Sequence, residues 1–528
     1  MASITHATKR CSVLSEFSEE QCIQYFGLKD KTVVHHVDSL YYSISIDESG
    51  LKSEGSSNSV AVNCMLERLK KLRDLAKANP NEEQKFHDLT VKLVRFATYD
   101  LCISDPDLYD VFIASALLND STPRIVVQIR TKMLVLLGPK EAVRRSLVKM
   151  NEILSAWKLQ AIRVDENRID YAYHTNLIQN PSLFFSDEEL LLHAKTRLKR
   201  YQKAGYLDSE LTIDYLALGA RKSDDVFVRI YLKDQEVIEQ AYKPFFIERW
   251  YQDGLISFYD KYCFEIAYKM RCYRTGLLVG RISFYLEYGH DEKKKEELRE
   301  LLKKCHVNSD NSPFIEKSIK GFLPQTTKIV NIEYQTKRRF YHYFANEIKA
   351  FKYTHDSAAY GGLTERLFRV LEMRSAFLEY LTRFGGTLSF VHNRNATLKD
   401  MDVQSQYMSW WKVLRRCRIS DTPRYSGLVR SSTQRLDRDR TVLRNMNDMA
   451  SFAIISTGST EERSLSEDAA DLLCAFVNDN DMRVPQDLDM MFVRRSTGEE
   501  VVVPIASEKY SQVRVRRARK LKPLLKVK

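Results

Sequence analysis

The chain has 528 residues, and its 82 Lys or Arg against 70 Asp or Glu leave a formal net charge of +12. With 44% hydrophobic residues, 28 Tyr and 25 Phe, it has the composition of a folded protein and is too long for one ordinary core, so a few domains and a polyanionic partner are expected. Nine cysteines without a C-x-x-C pair exclude a disulfide framework and a zinc knuckle.

Residues 1–32 read as a leader, and they lack the charged-then-apolar pattern of a signal peptide. No apolar run approaches the roughly 20 residues that span a bilayer, so a cytoplasmic protein with no membrane partner is expected. A strand is expected over Val33 to Ile46, then a basic helix around Ala61 to Ala78. Strand character follows at Val91 to Ile103, Tyr109 to Ser115 and Arg124 to Val135. After Gly138 and Pro139 a helix runs to about Lys158, and a further strand covers Ala161 to His174. The resulting β-α-β-β-α-β order predicts a mainly antiparallel sheet with helices on one face and the other face open to a ligand.

A second β/α half is expected over 179–345. Ser186 and Glu189 form a capping-box pattern, and Leu191, Ala194, Leu198 and Tyr201 recur at helical spacing. The opposite side of that expected helix carries Lys195, Arg197, Lys199, Arg200 and Lys203, a candidate for tracking a nucleic-acid backbone and equally readable as a solvated face. Strands are expected around Leu211 to Lys233, at Leu277 to Glu287 and at Lys328 to Gln335, with helices through about Arg274 and over Asp291 to Cys305. Residues 346–420 read as a helical region whose most regular segment is Leu363 to Phe384. MSWWKVLRRCR, Met408 to Arg418, suits either base stacking or a small tryptophan-anchored core. Residues 421–528 are polar and Arg-rich. They end in a basic tail, Lys509 to Lys528, with nine Lys or Arg and no acid. The fold class is therefore α+β: two β/α halves with mainly antiparallel sheets, then helices and a basic tail.

Three strands share one alternation. In RIDYAYHT, Asp170, Ala172 and His174 lie on one face; in KIVNIEYQ, Asn331, Glu333 and Gln335 do. In VFVRIYLK, Arg229, Tyr231 and Lys233 lie opposite Val226, Val228, Ile230 and Leu232. If the strands are neighbours, one surface gathers two carboxylates, an imidazole, a tyrosine and two cations. Cations beside a tyrosine favour its phenolate and the oxygens of a phosphate, so Tyr231 is a candidate nucleophile toward a phosphodiester. Asp170, Glu333 and His174 suit a divalent ion such as Mg²⁺ or Mn²⁺, and the product would be a 5′-phosphotyrosine link with a free 3′-OH. His35 and His36 precede Asp38, but adjacent strand residues face opposite ways, so at most one of the two is a ligand. The chain has no histidine-hydrophobe-histidine triplet of the HUH-nuclease kind and no G-x-x-x-x-G-K-[ST] loop.

RIDYAYHT resembles the R-hydrophobe-D strand motif of the Rep_trans family, the rolling-circle replication initiators of small plasmids and the related relaxases of conjugative elements. LGARKSDDVFVRIYLKDQE is similar to that family's second motif, a G-S-R-x-S turn before a hydrophobic-R-hydrophobic-Y-x-K strand. VNIEYQTKRRF is similar to its third, and order and spacing agree over roughly 160–345. The resemblance implies an endonuclease that nicks and rejoins one strand of origin DNA with a divalent metal. It implies Tyr231 as nucleophile, Arg229 and Lys233 as charge stabilisers, and Asp170 and Glu333 as metal- or phosphate-positioning residues. Tyr215 is the alternative nucleophile. Arg221, Lys222, Lys337, Arg338 and Arg339 are DNA-contact candidates beside Lys195, Lys199 and Arg200. The partners implied are single- and double-stranded origin DNA, with a host helicase and polymerase. Where the family often has a second Asp in the first motif this chain has His174, and Ala220 stands in the turn where Ser is usual. Two other functions fit the same residues: a DNA-binding replication or packaging protein without chemistry, and a metal-dependent phosphodiesterase that hydrolyses through water.

Overall fold

The computed structural model describes residues 26, 32–46, 57–94, 98–115, 123–178, 192–196, 198, 201–203, 216–221, 223–240, 243–304, 312–319, 323–351, 361–393, 406–417, 419, 428, 491–494 and 499–502. The chain divides into two units, Met1–Val429 and Arg430–Lys528. Of the second, the described part is a hairpin, Met491–Arg494 paired with Glu499–Val502.

The first unit is built on an 11-stranded sheet in which every neighbouring pair is antiparallel. Its strands, in chain order, are β1 (Val33–Ile46), β2 (Lys85–Phe86), β3 (Leu89–Lys92), β4 (Leu101–Asp105), β5 (Tyr109–Ile113), β6 (Ile125–Ile129) and β7 (Ala161–Thr175). A short pair lies outside the sheet: β8 (Ala194–Thr196) bonds β13 (Leu388–Phe390). The sheet resumes with β9 (Tyr201–Lys203), β10 (Leu216–Leu218), β11 (Val226–Leu232) and β12 (Val330–Lys337). The spatial order is β2-β3-β4-β5-β6-β1-β7-β12-β11-β10-β9, so β7, β12 and β11, the three strands with the shared alternation, are neighbours.

One face of this sheet is the core. Leu40, Tyr42 and Ile44 of β1, Ile169, Tyr171 and Tyr173 of β7, Ile332 and Tyr334 of β12, and Val228 and Ile230 of β11 are all buried in one cluster. The same cluster takes the apolar stripe of α1 (Ser57–Ala78), with Val62, Met65, Leu66 and Leu69 at helical spacing. After α2 (Thr131–Leu137), helix α3 (Pro139–Ala156) adds Val143, Leu147 and Leu154.

Between β11 and β12 the chain leaves the sheet and builds a helical insertion of α4 (Lys233–Gln240), α5 (Phe245–Gln252), α6 (Phe258–Met270), α7 (Tyr273–Tyr288), α8 (Glu292–Lys304) and α9 (Ser312–Ile319). Helix α6 starts on the expected chemistry of a capping box: Ser257 Oγ accepts from Asp260 N at 3.1 Å and Ser257 N donates to Asp260 Oδ2 at 3.0 Å. Asp260 also accepts from Thr327 N at 2.7 Å, which ties the insertion to the approach of β12. Helices α6 and α7 cross closely because α7 presents Gly276 and Gly280. A Cβ at Gly276 would stand 2.6 Å from Ala267 Cα, and one at Gly280 2.7 Å from Cys263 Cα. Gly280→Ala is therefore expected to lower stability by about 1–3 kcal/mol, read as an earlier midpoint in urea unfolding.

Asp234, in the first turn of α4, joins insertion to sheet: it accepts from Tyr273 Oη at 2.6 Å and from Ile329 N at 3.2 Å. Burial holds its carboxyl up at about 6. The folded chain thus holds that proton more tightly than the unfolded chain, whose Asp titrates near about 3.9. Stability therefore falls as pH rises across the window from about 4 to about 6. Asp234→Asn keeps one acceptor oxygen and cannot ionise. Between about pH 5 and pH 7.5 it is expected to lose about 1 kcal/mol less stability than the parent chain, measured by urea titration at both values.

Helices α10 (Arg338–His342), α11 (Ala345–Ala350), α12 (Glu365–Glu372), α13 (Arg374–Thr382) and α14 (Ser409–Arg415) complete the unit, and Leu367, Val370, Leu371, Phe377 and Leu381 close over the core face.

Several local expectations give way to tertiary structure. The helix expected around Ala194, Leu198 and Tyr201 is replaced by β8 and β9, because Ala194 pairs with Phe390 and Tyr201 with Leu218. Its proposed cap, Ser186 with Glu189, lies outside the described residues. The strand expected at Leu277 to Glu287 is part of α7, where the glycine pair allows a close helix crossing that β-branched neighbours concealed. The strand expected to reach Val135 ends at Ile129 and α2 follows. Among the described residues, five strands lie between α1 and α3 rather than the expected two or three, as a meander from β2 to β6. The long helix expected from Leu363 breaks at Met373 into α12 and α13. Trp410 and Trp411 are buried on Phe390, which settles MSWWKVLRRCR as a core anchor rather than a base platform.

Candidate functional site

Register fixes which side chains meet on the other face of the sheet. Asn331 of β12 lies between Tyr231 of β11 and His174 of β7; Glu333 lies between Arg229 and Ala172; Gln335 lies between Phe227 and Asp170. The turn before β11 is set by Gly219, at φ +90°, and by Asp224 Oδ2 accepting Ala220 N at 2.6 Å. That bond uses a backbone N–H, so Ala220 serves where the related motif has Ser.

The Tyr231 hydroxyl sits between a base and a cation. It donates to Glu333 Oε2 at 3.2 Å and accepts from Lys233 Nζ at 3.2 Å. Arg229 ion-pairs with Glu333 Oε1. Its guanidinium carbon and the Lys233 ammonium lie 5.8 and 5.3 Å from the Tyr231 ring centroid. Lys233 is the first residue of α4 rather than the last of the strand, yet its side chain still reaches the phenol.

Burial pushes the Tyr231 phenol well above its usual range; Lys233 pulls it down, and Glu333 adds to the rise. Burial works against the Lys233 ammonium, but Asp38, Tyr231 and Glu236 outweigh it and hold Lys233 firmly charged. Lys233 is therefore a fixed positive charge, and Glu333 is the group placed to take the Tyr231 proton.

A second layer completes this site, and sequence reading found only part of it. Lys233 Nζ lies 3.7 Å from Asp38 Oδ1 and ion-pairs with Glu236, and Lys243 Nζ lies 3.7 Å from Asp38 and 3.5 Å from Glu236. These cations hold the Asp38 carboxyl well below the usual range, against burial, which acts the other way. His36 and His174 meet edge to face with ring centroids 4.1 Å apart, and Trp250 Nε1 donates to His174 Nδ1 at 2.9 Å. Burial lowers both imidazoles, so both are neutral near pH 7. The sequence allows at most one of His35 and His36 a place in a site, without saying which; it is His36, paired with Ala172, that faces this side of the sheet, and Asp38 follows at a register irregularity between Val37 and Ser39. Lys243, Phe246 and Trp250 come from the helical insertion, and no local pattern announces them.

The expected metal ligands are divided. The Asp170 carboxyl is bound by Arg168, with Arg168 Nε 2.8 Å from Asp170 Oδ1, and burial holds it up at about 6. Glu333 carries Arg229 and Tyr231, and His174 lies with Asn331, a row further along. Among the described residues no three His, Cys, Asp or Glu side chains are placed to hold a metal ion, so Asp170, Glu333 and His174 do not fit one shared ion in this arrangement. His174 Nε2 and Asn331 Oδ1 are buried and make no hydrogen bond.

The DNA-contact candidates are also spread. Arg338 bonds Asp165 Oδ2 at 2.7 Å and Arg339 lies 3.5 Å from Asp225, so each is already in an ion pair. Lys337 ends β12, and Arg221 lies in the turn between β10 and β11, close enough to act on the charge of Lys337 and Tyr41. Lys195 is on β8 with its ammonium 5.3 Å from the Phe384 ring centroid. Tyr215, Lys199, Arg200 and Lys222 lie outside the described residues.

No family model and no curated protein matches this sequence. Among solved structures, the rolling-circle replication initiator protein from Geobacillus stearothermophilus is similar at 12% identity, over 74% of this chain and 100% of that one, with a TM-score of 0.29. A likeness of that size carries no argument about this chain. Among the described residues no helix is long and apolar enough to cross a membrane.

Proposed function

We propose that this chain is a DNA strand nicking and joining enzyme, a rolling-circle replication initiator or relaxase, in which Tyr231 is the nucleophile. The observation that carries the reading is the Tyr231 hydroxyl held between Glu333 Oε2 and Lys233 Nζ, each at 3.2 Å, on a strand whose next outward residue is Arg229. Glu333 takes the phenolic proton as Tyr231 Oη attacks phosphorus. The P–O3′ bond breaks, the 3′-oxygen takes a proton from solvent, and the strand end stays as a 5′-phosphotyrosine ester. Attack by the 3′-OH reverses these steps and rejoins the strand. Lys233 and Arg229 supply positive charge to the phenolate and to the phosphate oxygens as negative charge develops. Every step is assigned to side chains of the chain, and the divalent ion expected from the sequence enters the test instead.

That test is an end-labelled single strand incubated with the protein, with and without Mn²⁺, followed by denaturing gel and peptide mapping. The expected result is a covalent adduct, resistant to SDS, on the peptide containing Tyr231. Cleavage without an adduct assigns a hydrolytic phosphodiesterase; binding without cleavage assigns a DNA-binding protein.

A further inference from the structure

The sheet face that holds Tyr231 continues well beyond it. One cross-strand row runs Lys337–Arg168–Tyr41–Gln128–Asp110–Ser104–Thr90, through β12, β7, β1, β6, β5, β4 and β3. Residues opposite one another point to the same face, so a single side of the sheet carries seven polar or aromatic side chains in line. The neighbouring positions on each strand, such as Leu40, Val127 and Val111, belong to the core on the other side. Second and third in the row, the Arg168 guanidinium lies over the Tyr41 ring, 5.0 Å from its centroid, and both side chains are half-buried. Acids lie along the row as well: Asp170 is paired with Arg168, Asp110 with Arg130 at 2.8 Å and Lys92 at 3.6 Å, Asp225 and Asp224 act on Lys337, with Asp225 3.5 Å from Arg339, and Glu83 accepts from Thr90.

We propose that the Arg168–Tyr41 stack is a base platform for a single-stranded DNA segment that crosses this sheet face on its way to Tyr231. The proposal rests on the nicking reading for the direction of the strand, not for its chemistry. The guanidinium covers one face of the Tyr41 ring, and the plane of this half-buried pair offers an unpaired base a surface to stack on. A duplex stacks its bases on one another and offers no such face. Lys337 and Arg221 flank the stack and complement the phosphates, while compensated Asp110 and Asp170 do not repel them. From the His174 row, which holds Tyr231, to the Arg168 row is about 20 Å along β7 at a strand's rise. A few nucleotides span that distance, so the platform fixes which bases stand beside the scissile phosphate.

The test compares full-length Tyr41→Ala, Tyr41→Phe and the parent chain by fluorescence anisotropy on a labelled mixed-sequence single strand and on the matching duplex. Tyr41→Ala is expected to raise the single-strand Kd by about 5- to 150-fold, as loss of one stacked base does. Tyr41→Phe should restore it, and duplex affinity should be unchanged in both. Single-strand affinity unchanged in Tyr41→Ala, or duplex affinity falling in parallel, overturns the platform. Adduct formation by the parent chain is measured beside it: an adduct with no effect of Tyr41 sinks the platform alone, whereas a Tyr41 effect with no adduct upholds the platform and sinks the nicking reading.

Discussion

Tyr231→Phe is expected to abolish the covalent adduct and to slow strand cleavage by as much as about 10⁶-fold, the scale seen when a covalent nucleophile is removed. The substitution takes one oxygen and leaves the ring, so the cation contacts from Arg229 and Lys233 to the ring survive. The two hydrogen bonds lost, to Glu333 and from Lys233, have charged partners and are worth about 3–6 kcal/mol together, so circular dichroism on the same preparation checks that the variant is folded. On the proposed reading DNA affinity comes from cations that the variant retains, so the single-strand Kd should move by no more than about twofold. The measurements are adduct yield by SDS gel and Kd by anisotropy on the same preparation. If Tyr231→Phe still forms the adduct and Tyr215→Phe does not, the nucleophile is Tyr215.

The reason this site could be seen in the sequence is that it is built on strands. A period of two makes a single face readable without knowing the fold, and RIDYAYHT, VFVRIYLK and KIVNIEYQ each show one. What alternation cannot give is adjacency. β12 lies between β7 and β11 in space although the whole helical insertion separates it from β11 in sequence. It also cannot give the third dimension: Lys243, Phe246 and Trp250 reach the site from α5 and the segment before it, and only tertiary packing brings them there. Helix and strand were confused where propensity and context disagreed. Residues 277–287 combine Val279 and Ile282 with Gly280 and read as strand, yet they lie in a helix whose glycines serve a close crossing. The segment around residues 194–203 reads as helix, yet residues 194–196 and 201–203 pair with other strands. Metal ligation was the least legible property. It depends on which oxygens remain after neighbouring arginines have taken theirs, and Arg168 and Arg229 take those of Asp170 and Glu333.

Glu333→Gln separates two roles for this residue: phosphate positioning, expected from the sequence, and proton acceptance, proposed from its hydrogen bond with Tyr231. The side chain is fully buried, with one oxygen on Arg229 and the other on the Tyr231 hydroxyl. Glutamine keeps the shape and an acceptor but cannot take the proton. If Glu333 is the base, cleavage should fall by about 10²- to 10⁴-fold while single-strand affinity stays near that of the parent chain. The pH dependence carries the sharper signature. Burial is the main reason the Tyr231 phenol titrates high, Lys233 opposes it, and the Glu333 charge raises it further. Removing that charge lowers the phenol while deleting the group that accepts its proton. Residual cleavage by Glu333→Gln should then depend on phenolate already formed and rise about tenfold per pH unit between about pH 7 and pH 9. The parent chain, whose base is built in, should be flat over that range. A variant that loses DNA affinity, or one whose cleavage falls with the same flat profile as the parent, would assign Glu333 to positioning and leave the Tyr231 proton to another acceptor.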